Sequence, residues 1–335
     1  MSESAPTVGR AVDAARTALR SALGDRMRLA GPDRTEALAQ DASATLHHAT
    51  VRVIGGAMRL RDVVLPRAAH FEGFLDGIQR STTVAYVDGV PVLHGTAAAA
   101  IRERDQSGRM RAWRAPEIDH SVFASRTLLG ETTWALLGSA LASRAHTVRD
   151  TDDSAPVPSA HPASLLRQGL DALSRVRNDL ERAVGEQWCA AHADRPLYVD
   201  GSLRTSHAMM RSAGAVGVVK SHATLYMPDS ALQGVMTLDA ARRTTLLEAL
   251  DVNERPLFHT WYLRLRSATG RDPFFGLIRV ETGVRNTDDA AAEQRADDIS
   301  AWLLAERSPL ARPDARWDVM PYAVRDCEVY LRAVA

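Results

Sequence analysis

Four residues carry the chemistry this sequence could perform: Asp76, Glu181, Asp200 and Lys220. Asp76 and Asp200 each close an apolar, strand-like run and are each followed by glycine, in FLDG at 74–77 and LYVDG at 197–201. Carboxylates at the ends of two neighbouring strands lie side by side at one sheet edge, and the glycine lets the chain turn away. Glu181 sits in a helical segment beside an apolar stripe, one position from Leu180 and three from Val184, with Glu186 as its rival. Three carboxylates in one place repel one another unless a cation neutralises them, and all-oxygen donors select Mg²⁺ or Mn²⁺ over zinc. Two such ions about 4 Å apart activate a water and stabilise the leaving oxygen in phosphodiester hydrolysis. Taken singly, an Asp-Gly pair is first of all a turn signal, and a helical glutamate is first of all a solvated charge.

Lys220 stands out by composition. The 41 basic residues include this single lysine, in GAVGVVKSH, against arginine everywhere else. Such a bias follows from GC-rich coding, and a lysine kept against it either marks a place that wants a compact ammonium or survives by chance. The stretch GAVGVVKS approaches the phosphate-loop pattern G-x-x-x-x-G-K-S, but Val219 replaces the glycine whose neighbouring amides would cradle phosphate. Its β-branched run reads as a strand. Arg109, Arg111, Trp113 and Arg114 interleave cations with an aromatic ring, as a single-strand DNA groove does, although an arginine-rich solvated loop has the same look.

The elements that must position these residues follow from periodicity. Residues 8–24 and 33–48 read as helices, giving a helical N-terminal region over 1–60. FEGFLD, STTVAYV and VPVLHGT read as three short strands, the last two joined by a hairpin at Asp88-Gly89, so that Asp76 ends the first. Helix is expected over 121–146 and a Pro/Ser-rich loop over 151–162. A long helix then carries Leu166, Leu170, Leu173, Leu180, Val184 and Trp188. The strand LYVD, a short helix at 205–212, the strand GAVGVVK, a helix at 238–249, the strands HTWYLRLR and FFGLIRVE, and helices at 290–307 and 321–333 complete the chain. A meander, then helices, then a buried strand suggests an α/β fold with a mixed sheet flanked by helices, as in ribonuclease H-like folds.

Composition narrows the classes. With 41 basic and 41 acidic residues, any affinity for nucleic acid must come from a local surface. Cys189 and Cys327 are the only cysteines and lack metal spacing, and the histidines, His47-His48 included, form no HExxH pattern; a disulfide framework and a zinc hydrolase are not indicated. The amphipathic start is unlike a signal sequence, and no apolar run reaches the ~20 residues of a membrane span. The expectation is a soluble, cytoplasmic protein with no membrane partner.

Together these features resemble the NurA family of nucleases, which work with HerA-type hexameric ATPases in processing DNA ends. The resemblance rests on Asp76-Gly77, Glu181, VDGSL with Asp200, GVVKS with Lys220, and a C-terminal Pro321-Tyr322 pair, and it spans roughly residues 70–335. It implies a ribonuclease H-like nuclease domain over 65–335, a homodimer, Mn²⁺- or Mg²⁺-dependent DNA cleavage and docking on a HerA-like ring. Asp76, Glu181 and Asp200 become metal ligands, and Lys220 and Tyr322 become nucleic-acid contacts. Family members usually carry a histidine after the Pro-Tyr pair; here the last histidine is His259, leaving Asp326 or Glu328 for that place. The missing histidine supports an alternative, a catalytically degenerate subunit that binds and regulates the translocase. A sugar-kinase or actin-like ATPase also uses strand-end Asp-Gly, but Gln79 stands where its hydroxyl belongs.

Overall fold

The computed structural model describes residues 47–64, 70–106, 108–142, 147–152, 160–222, 224–285, 287–307 and 322–334. Three short strands, β1 (His47–His48), β2 (Val51–Val53) and β3 (Leu60–Asp62), occupy the stretch expected to end a helical N-terminal region. The expectation for residues 1–46 lies outside the described residues, as does most of the loop at 151–162.

Two long strands follow. β4 (Gly73–Val87) and β5 (Val90–Arg104) run antiparallel along their whole length. They are joined at Asp88 and Gly89, whose φ values of 51° and 82° are those of a two-residue turn of the type that matches strand twist. The separate strands read at FEGFLD and STTVAYV are therefore one. Asp76-Gly77 is no turn, and Asp76 lies inside β4 rather than at its end. β6 (Met110–Ala112) and β7 (Glu117–Ala124) pair with β5, so the helix expected from 121 begins later, as α1 (Arg126–Ala142), followed by β8 (Thr147–Asp150).

α2 (Pro162–Ala191) starts where His161 Nδ1 accepts from the Ala163 amide and proline fills the first turn. It lays Leu165, Ala172, Leu173, Val184 and Trp188 against β4, β5 and β7. β9 (Leu197–Asp200), α3 (His207–Arg211) and β10 (Ala215–Val219) come next. Then come β11 (Thr224–Leu225), α4 (Leu232–Met236), β12 (Arg242–Thr244) and β13 (Leu247–Leu250). Strands thus replace the helix expected at 238–249. Its helix-forming Ala, Leu and Glu residues yield to pairing on both sides, since β13 lies between β2 and the next strand, β14 (Pro256–Arg264). β15 (Leu277–Gly283), α5 (Asp289–Glu306) and α6 (Tyr322–Val334) match expectation closely.

The main sheet has the order β2-β13-β14-β15-β10-β9-β4-β5-β7-β8, with β3, β6 and β12 attached, and β1 pairs with β11 apart from it. At its centre β9 runs parallel to both β4 and β10, while β5 and β7 continue from β4 as an antiparallel meander. Helices cover both faces. Leu75 and Val199 pack with Val184 and Trp188 of α2, whereas Phe74, Tyr198 and Val218 pack with Ile299 of α5 and Val324 and Cys327 of α6. This is a mixed α/β architecture around a large sheet, and no helix among the described residues is long and apolar enough to cross a membrane.

Candidate active site

The two aspartates meet through register. Phe74 lies opposite Tyr198 and Leu75 opposite Val199, so the next step brings Asp76 level with Asp200 on the adjacent strand. Side chains alternate along a strand, which puts Asp76 and Asp200 on the face of Phe74 and Tyr198, toward α5 and α6. Lys220 follows β10 on that same face, two residues beyond Val218, and its Nζ lies 2.6 Å from Asp200 Oδ2. The expectation of two carboxylates on neighbouring central strands is met. Lys220, read as a phosphate contact, pairs with one of them in the free protein.

Glu181 approaches from the other side. It stands on α2 over Gly77, where a β-carbon would overlap Glu181 Oε1 and lie 2.7 Å from its Cγ. The glycine after Asp76 is required by this approach and not by a turn. Arg177, one helical turn earlier, holds Glu181 Oε1 at 3.3 Å. That partner is legible in the sequence as an i, i+4 pair. Glu186, the rival, instead accepts from Ser206 Oγ at 2.7 Å.

The electrostatics tie the three acids together. Burial pushes the Asp76 carboxyl well above the usual range, with the nearby Asp200 and Glu181 charges adding to the rise; Lys220 and the Gly77 amide, which donates to Oδ1 at 2.8 Å, oppose it. Burial likewise lifts Glu181 to about 7, against the pull of Arg177, with Asp200 pushing the same way. The hydroxyl of Tyr198, fully buried beneath the site, has no hydrogen-bond partner among the described residues, and burial and the charges of Asp200 and Asp76 raise its pKa.

A divalent ion fits this site by chemistry. The donors are carboxylate oxygens, and one lone ammonium only partly offsets the charge that gathers at Asp76. The spacing is a different matter. Among the described residues no three Asp, Glu, His or Cys side chains are grouped to hold a metal ion. The reason is geometric: Asp76 and Asp200 share one face of the sheet, and Glu181 sits across β4 on the other.

The C-terminal carboxylates are already engaged. Asp326 accepts from Arg102 Nε at 2.7 Å, and that guanidinium stacks 4.7 Å from the Tyr330 ring. Burial alone would raise Glu328, but hydrogen bonds from Arg325 and Arg332 outweigh it and hold the carboxyl low. The residue of α6 that faces the site is Cys327. Its Sγ donates to Phe74 O at 2.9 Å, and burial, with Asp76 nearby, raises its pKa far enough to keep it a thiol. The side chain of Tyr322 lies outside the described residues.

The expected DNA-binding run is packed, not splayed. Trp113 meets the Trp188 ring edge-on at 5.2 Å and also contacts His192, while Arg114 covers it at 4.2 Å, so the ring is no open stacking platform. Arg111 pairs with Glu103 at 3.3 Å, and the Arg109 amide donates to Asp105. Arg111 lines a pocket of about 610 Å³ with Glu72, Glu103, Arg104, Asp105 and Arg195. Since Gly73 pairs with Glu103, that pocket opens at the start of β4, away from Asp76.

The fold and site thus define a class: a mixed α/β protein with a buried and a half-buried aspartate on adjacent parallel strands and one lysine beside them. No family model matches the chain, and no curated protein matches its sequence.

Proposed function

We propose that the protein is a metal-dependent DNA nuclease of the NurA type, hydrolysing phosphodiesters with water. The observation that carries this reading is the buried Asp76 carboxyl, level with Asp200 and within electrostatic reach of Glu181, with Lys220 as the nearby ammonium. A ribonuclease H-like core is supported by the antiparallel meander β4-β5-β7, whose first strand adjoins the parallel strands β9 and β10.

Asp76 and Asp200 would hold Mg²⁺ or Mn²⁺, which when bound would supply an activated water and charge stabilisation, while Glu181, across β4, would act on that pair through its charge. Lys220, paired with Asp200 in the free protein, would be the cation nearest a bound phosphate, and Arg177 holds Glu181. Asp76, whose pKa burial raises, would have to ionise to serve as a ligand. Docking on a HerA-type hexameric ATPase and a homodimeric state belong to the same reading.

The test is degradation of single-stranded and linear duplex DNA with Mn²⁺, with and without such an ATPase. Asp76→Asn and Asp200→Asn are each expected to lower the rate by on the order of 100-fold or more. Full activity in Asp200→Asn would remove that residue from the mechanism.

A second reading is favoured by one observation: Asp326 and Glu328 are both saturated by arginine. On this reading the chain is a non-catalytic subunit that regulates the translocase. Stable binding to the ATPase, with neither cleavage nor a Mn²⁺-induced rise in melting temperature, would select it.

A further inference from the structure

The turn that follows Asp200 is anchored from beneath by a buried carboxylate that the site chemistry does not use. Gly201, at φ 139°, sends the chain out of β9, and its carbonyl and the Leu203 amide pass directly over Gly217 of β10. A β-carbon at Gly217 would lie 2.9 Å from that carbonyl. Next to Gly217, across the β10–β15 pairing, is Glu281. It is fully buried. One oxygen, Oε2, accepts from Ser202 Oγ at 2.8 Å and from the Leu203 amide at 2.9 Å. The other, Oε1, accepts from Arg279 Nη1 at 2.5 Å. Arg279 is itself buried, lies 4.1 Å over the Tyr226 ring and reaches Thr260 Oγ1. Tyr226 takes a bond of 2.6 Å from Arg204, so the far end of the turn is tied to the same cluster.

We propose that Glu281 is a positioning residue: by holding Ser202 and Leu203 it fixes the turn behind Asp200 and so the direction in which Asp200 meets Lys220. A buried charge is retained only where it is paired and hydrogen-bonded, and replacing it with apolar packing commonly costs nothing in stability. Here one oxygen is given to the ion pair and the other to two donors of the turn. The arrangement of donors, and not the ion pair alone, is what a purely structural account leaves unexplained.

The proposal rests on the site reading above, and two measurements separate their fates. The first is amide hydrogen exchange in the metal-free protein. Glu281→Gln keeps the volume and an acceptor but ends the ion pair, while Glu281→Ala removes the anchor. Ser202→Ala deletes one of the two bonds from a partly exposed position and so keeps the fold should Glu281→Ala fail to form it; because Ser202 Oγ also caps the Arg204 amide, its effect is read at the Leu203 amide that Glu281 holds. Exchange across 200–205 is expected to quicken by about tenfold in Glu281→Ala or Ser202→Ala, with the amides of β4 around Asp76 unchanged. The second is Mn²⁺-dependent cleavage of single-stranded DNA. In the same variants kcat is expected to fall by about tenfold or more with KM for DNA unchanged, and Glu281→Gln is expected to recover most of it. Unchanged exchange at 200–205 in a folded variant overturns the anchor. Quickened exchange with wild-type kcat overturns the positioning role. Failure of the wild-type protein to cleave DNA or bind Mn²⁺ counts against the nuclease reading, and exchange then decides the anchor by itself.

Discussion

At Gly77 a missing side chain does the work that an Asp-Gly pair usually does with its backbone. Glu181 fills the space a β-carbon would take. Gly77→Ala should therefore push Glu181 aside at modest cost to the fold, about 1–3 kcal/mol, because a flexible side chain can move. The expected result is a large drop in Mn²⁺-dependent cleavage with a cooperative melt retained; a variant as active as wild type would show that Glu181 is not needed where it stands. Glu181 also has a sign that can be read by pH. Its folded pKa of about 7 exceeds the ordinary 4.5, so the folded state keeps a proton that the unfolded chain releases. The stability this group contributes is present at low pH and is lost as pH rises from 4.5 to about 7. Between about pH 5 and pH 7.5, metal-free wild type should lose stability relative to Glu181→Gln, by at most about 3 kcal/mol. Parallel pH profiles for the two proteins would contradict this. Tyr198 offers a third test, since its buried hydroxyl lacks a partner among the described residues. Tyr198→Phe should leave the melting temperature unchanged or raise it, with a gain of up to about 1–2 kcal/mol. A clear loss would reveal a hydrogen bond at that hydroxyl.

Among the elements, α6 closes the face that carries Asp76. Val324, Cys327 and Leu331 recur at helical spacing and all are fully buried, the first two against the Phe74 side of the sheet and Leu331 against Ile78, Ala98 and Ala100. Leu331→Ala should cost about 2–4 kcal/mol in chemical denaturation, as deletion of a fully enclosed leucine does. A loss below about 1 kcal/mol would mean that α6 is loosely docked. The helix itself was legible from its period, and α2 and α5 were too. What the resemblance, with its missing histidine, hid was which α6 residue faces Asp76. The helical repeat puts Cys327 inward with Val324 and Leu331, which turns Asp326 and Glu328 to the flanks, where arginines meet them. The segment at 238–249 failed for another reason. Its local preference is helical, and pairing with β2 and β3, far away in sequence, overrides it.

Across the whole molecule, the site divides into a part written locally and a part written by register. Asp76, Asp200 and Lys220 were legible because each follows an apolar run that must be a buried strand. Their face was not legible, since one residue of register decides it. The Glu281 anchor depends on β15 pairing with β10, with 64 residues of separation between Gly217 and Glu281, and no local signal beyond the alternation of Arg279 and Glu281 announces it. Charge also belongs to this scale. The 41 positive and 41 negative residues cancel, so no net charge draws a polyanion such as DNA to the molecule. Binding must then rest on few phosphate contacts, each worth about −0.9 in the slope of log K against log salt for duplex DNA. On the nuclease reading, Lys220, which stands beside Asp200, would be the contact at the reacting phosphate. Lys220→Gln, measured with Ca²⁺ in place of Mn²⁺ to suppress cleavage, should reduce that slope by about one and weaken binding alike for all sequences. An unchanged slope would leave Lys220 as the counter-charge of Asp200 alone, and would move the phosphate contact to an arginine elsewhere on the surface.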